Sequence, residues 1–125
     1  MGEMDFTGLQ AYEEVSPAVV KGLKLLRDLD DYDTYWDFIL KGLRRDLAES
    51  LPLLADGYNR YHYDDKAEAY RKARSKMSRC QSCFLILKDV GVLNSKDVSS
   101  VCEGLEGGIG RLNGLISRME DDSGA

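Results

Sequence analysis

Four segments of this chain carry apolar residues at alternating spacings of three and four, and that periodicity leaves little choice of fold. In the third segment Tyr70, Ala73, Met77, Cys80, Phe84 and Leu87 form one seam, with Cys83, Ile86 and Val90 expected to widen it on one side. Residues spaced this way share a face of an α-helix; a strand, with its period of two, would scatter them over both faces. The fourth segment repeats the pattern with Val98, Val101, Leu105, Ile109, Leu112, Ile116 and Met119. The second does so with Trp36, Ile39, Leu40, Leu43, Leu47, Leu51 and Leu54, and the first with Val19, Val20, Leu23 and Leu26, extended backwards by Tyr12 and Leu9. No segment alternates with strand period. The expected fold is all-α, an antiparallel up-down-up-down four-helix bundle with short turns. Its helices span about 9–29, 34–58, 65–90 and 95–119.

The punctuation between the seams places the helix ends. Ser16-Pro17 either starts the first helix as cap and first-turn proline or leaves Pro17 as a kink in a longer one. Asp33 or Thr34 is expected to cap the second helix, and Pro52 to bend it between Ala48 and Pro52. Asn59 to Tyr63 reads as the connection, followed by Asp64 or Asp65 as the next cap. Gly91 is suited to a left-handed terminator, with Val92 as its apolar partner. Asn94 or Ser95 starts the fourth helix, and the acidic tail from Glu120 to Ala125 is expected to fray.

Composition narrows the class. A chain of 125 residues fits one domain, 1–125, and 43% hydrophobic with 31% charged residues is globular composition. No apolar run approaches the roughly 18–20 residues that span a bilayer. The segment Met1 to Thr7 holds two acids and no base, the wrong charge for a secretory signal. Three cysteines do not make a disulfide framework, so a reducing, cytoplasmic setting is expected. The net charge of −5 argues against coating nucleic acid through bulk charge.

Cys80-Gln81-Ser82-Cys83 has CxxC spacing, but only Cys102 and the lone His62 could complete a soft ligand set. Both thiols lie on or beside the third seam, where cysteine behaves as a small hydrophobe. His62 falls in the connection with nothing near it in sequence to organise a nucleophile, and no glycine-rich phosphate loop is present. No enzyme, metal or cofactor is expected, and no small-molecule substrate is evident. Two features point instead to macromolecules. Arg71, Lys72, Arg74, Lys76 and Arg79 fall within nine acid-free residues, with Arg44, Arg45 and Arg60 able to extend the patch if the second helix packs beside the third. Tyr61, with Tyr58 and Tyr63, could stack there on unpaired bases. Against this, such a run is often a solvated face with acid partners on neighbouring helices. The fourth helix carries Gly104, Gly107, Gly108, Gly110 and Gly114, and each costs up to about 1 kcal/mol of helix propensity relative to alanine. Gly107, Gly110 and Gly114 are expected to face away from the seam and to form an oligomer interface.

Several stretches resemble a known family. Leu43-Arg44-Arg45, Ser50-Leu51-Pro52 and Ala55-Asp56-Gly57-Tyr58-Asn59-Arg60 are similar to the LRR, SIP and AEGFGR motifs of the four-helix-bundle proteins of 23S ribosomal RNA intervening sequences. Ala73-Arg74-Ser75, Lys88-Asp89-Val90-Gly91-Val92-Leu93 and Leu112-Asn113-Gly114-Leu115-Ile116 resemble its ARGS, KDLGYL and LNGLI. The chain departs from the pattern at Asn59, at Pro17 and at Gly107-Gly108. The resemblance implies a homo-oligomeric ring, commonly a pentamer, without established enzymatic activity. A related branch, the accessory variability determinant of diversity-generating retroelements, serves a reverse transcriptase and its RNA. The expected function is a non-enzymatic scaffold or adaptor for a macromolecular partner, with an RNA- and reverse-transcriptase-binding accessory role as the alternative.

Overall fold

A computed structural model describes residues 5–29 and 36–123. A short 3-10 turn, Asp5–Gly8, leads into four α-helices: α1 (Gln10–Arg27), α2 (Asp37–Asn59), α3 (Tyr63–Asp89) and α4 (Ser95–Ser123). The described residues form no strand. α1 packs on α2, α2 on α3, α3 on α4 and α4 back on α1, so each helix has two neighbours and the four close a cycle around one core. Among the described residues no helix is long and apolar enough to cross a membrane.

The seams of α3 and α4 build that core largely as their spacing predicts. Tyr70, Ala73, Met77, Cys80, Phe84 and Leu87 are all buried, as are Val98, Val101, Leu105, Leu112 and Ile116. Burying a leucine- or phenylalanine-sized side chain contributes roughly 1.5–3 kcal/mol, so these rows dominate the stability of the fold. The expected widening of the α3 seam fails at Ile86 and Val90, which are exposed while Cys83 is half-buried.

α1 is corrected further. Val20 is exposed, and the buried row is Ala11, Val15, Ala18, Val19, Gly22 and Leu26. Small residues prevail there because α1 and α4 approach closely. A Cβ on Gly104 would lie 2.5 Å from Ala18 Cβ, and one on Gly108 would collide with Val15 Cγ2. Pro17 lies inside α1, which starts seven residues earlier at Gln10, so its alternative as a helix start is set aside.

Local chemistry explains most helix ends. Val92 N donates to Leu87 O (2.8 Å) and Gly91 N to Lys88 O (3.0 Å), with Gly91 at φ +84°. This pair of bonds on a left-handed glycine closes the last turn of α3. Asn94 Oδ1 accepts from Asp97 N (2.8 Å) and its Nδ2 donates to Asp97 Oδ2 (2.8 Å), a reciprocal cap on α4. Two expectations are revised. His62, not Asp64 or Asp65, precedes α3, and its side chain makes no capping bond. α4 continues through Ser123, so the acidic turn at 120–123 is helical. The expected cap at Asp33 or Thr34 lies outside the described residues.

Candidate partner-binding faces

The basic run of α3 divides between two neighbouring helices. Arg71 pairs with Glu120 (3.1 Å) and Arg74 donates to Asn113 Oδ1 (2.9 Å), both on α4. On the other flank Lys76 reaches Glu49 (2.8 Å) and Asp46 (3.4 Å), and Arg79 reaches the same Asp46 carboxylate (3.0 Å), both acids on α2. Lys72 pairs one turn back with Glu68 (3.2 Å). The side chain of Asp46 is only 10% exposed. A carboxylate at that depth needs compensating charge, and two cations from α3 supply it. The hydrogen bond to Glu49, and secondarily the one to Asp46, holds the Lys76 ammonium above its ordinary pKa. Each cation of the run therefore has a partner on the chain itself, which is the solvated-face arrangement.

The outlying arginines separate. Arg44 donates to Leu26 O (3.3 Å) near the end of α1. Arg60 is held by Asp56 (2.8 Å) and by Asp65 O (3.1 Å) across the α2–α3 connection, and the Asp56 hydrogen bond raises its pKa. Arg45 is exposed. Tyr61 is 88% exposed and stands edge-on to the His62 ring, with centroids 5.0 Å apart. Tyr58 is half-buried beneath Lys66 Nζ, which lies 5.6 Å from the ring centroid and donates to the α2 carbonyls of Gly57 and Tyr58. That ammonium satisfies carbonyls left open at a helix end, and partial burial lowers its pKa.

Cys80 is fully buried, and desolvation pushes its thiol up to about 12. Cys83 and Cys102 are half-buried, and desolvation raises both. All three are neutral thiols at physiological pH, poor nucleophiles and poor metal ligands as they stand. Among the described residues no group of three or more His, Cys, Asp or Glu side chains is placed to hold a metal ion.

The glycines of α4 fall into two sets. Gly104, Gly107 and Gly108 meet Ala18, Glu14 and Val15 of α1 within the chain. The expected outward orientation of Gly107 is corrected accordingly: a Cβ there would collide with the Glu14 carboxylate. Gly110 and Gly114 are exposed, and a Cβ on either would meet nothing within 4 Å. They lie along an open groove of about 690 Å³ between α4, the start of α1 and Tyr58 at the end of α2. Arg111 and Arg118 stand among its lining residues, with Leu9 and Leu115 as apolar walls and Asp5 as the acid. Arg111 is held by Glu14 (3.4 Å) and Gln10 (3.1 Å), whereas Arg118 is exposed and makes no ion pair among the described residues. Sequence reasoning passed over these two arginines. Their spacing of seven, bracketing Gly114, was the available signal, since it places them on one helix face with the glycines.

A scan against family models finds no match for the chain, and no curated protein matches it.

Proposed function

We propose that the protein is a non-enzymatic, homo-oligomeric four-helix-bundle scaffold or adaptor for a macromolecular partner, similar to the 23S intervening-sequence proteins and assembling as a ring. The observation that carries this reading is the open face of α4. Gly110 and Gly114 weaken the helix, and a Cβ on either would meet nothing within 4 Å among the described residues, as expected of positions kept small for another backbone. Exposed apolar side chains elsewhere, Phe38 at 73% and Leu85, Ile86 and Val90 at the end of α3, provide further contact surface. An up-down-up-down path accompanies this reading. It is supported by the short α2–α3 and α3–α4 connections and by the order of pairing: Gly57 lies beside Tyr70, and Asp46 beside Arg79. The test is solution mass by light scattering. A multiple of the 14.0 kDa chain is expected, five-fold for a pentameric ring, and a monomer at all concentrations would refute it.

The RNA-binding reading ranks second and rests on fewer groups than the basic run suggested. Tyr61 is fully presented and Arg45 is exposed, but the cations of α3 are engaged by Glu49, Asp46, Glu68, Glu120 and Asn113. Direct phosphate contacts would make RNA affinity fall steeply with salt, so a flat salt dependence counts against this role.

A further inference from the structure

We draw no further inference here: the strongest candidate, the exposed apolar surface patch of Phe38 at the start of α2 with Ile86 and Val90 at the end of α3, is unpartnered and nothing in the structure shows what covers it.

Discussion

The close α1–α4 approach makes one substitution change sign along the chain. Replacing a helical glycine by alanine gains about 1 kcal/mol where the new methyl is free, because the unfolded chain loses conformational freedom. Gly42 in α2 is such a site: nothing lies within 4 Å of a Cβ built there. Gly104 is the opposite case, since its Cβ would come within 2.5 Å of Ala18 Cβ, a backbone-fixed atom that no rotamer change can move. Gly108 is tighter still, against Val15, a fully buried β-branched side chain with few alternatives at χ1. Overpacking of this kind costs roughly 1–3 kcal/mol. Setting that against the propensity gain, Gly42→Ala should stabilise by about 1 kcal/mol, Gly104→Ala should be neutral to about 2 kcal/mol destabilising, and Gly108→Ala clearly destabilising. Chemical denaturation at fixed protein concentration measures all three, and the corresponding midpoint shifts in thermal unfolding are roughly 3–5 °C per kcal/mol for a domain of this size. Gly108→Ala as stable as Gly42→Ala would refute the claim that glycine is there to admit Val15.

The other predictions address charge, chain reversal and thiols. Asp46→Asn should destabilise by about 1–3 kcal/mol, because it leaves Lys76 and Arg79 without their shared carboxylate while Lys76 keeps Glu49 and Arg79 stays partly solvated; urea titration of single and double variants reads it. Gly91→Ala should cost about 1–2 kcal/mol, since a side chain is strained at φ +84°, and equal stability would remove the left-handed cap from the account of α3. Cys80, neutral in the folded chain up to about pH 12, should lag Cys83 and Cys102 in alkylation, and its modification should follow global unfolding. Its raised pKa also gives a linkage with a definite sign. Stability from keeping the buried thiol protonated is complete below pH 9, where the unfolded thiol is also neutral, and is lost between pH 9 and about 12. Cys80→Ala should flatten that decline, and an unchanged alkaline slope would contradict the assignment.

What was legible in the sequence divides by how far each signal reaches. Helical periodicity is local, and it placed the α3 seam from Tyr70 to Leu87 and the α4 seam from Val98 to Ile116, because each large apolar residue on those faces had nowhere to go but the core. Cap chemistry at Gly91 and Asn94 was legible for the same reason, being settled within a few residues. α1 was read only in part: Val19 and Leu26 are buried as expected, whereas Val20 is exposed and much of the buried face is built of small residues. Ala11, Ala18 and Gly22 carry little hydrophobic signal, and only the nearness of α4 explains them. Gly107 was assigned to the wrong neighbour by the same lack of long-range information.

The basic run of α3 shows the limit most sharply. Nine acid-free residues look like an uncompensated surface when only one helix is in view, yet the compensating acids lie some thirty to fifty positions away: Asp46 and Glu49 on α2, Glu120 on α4. A charge run on one element of a bundle therefore says little about partners until the facing elements are known.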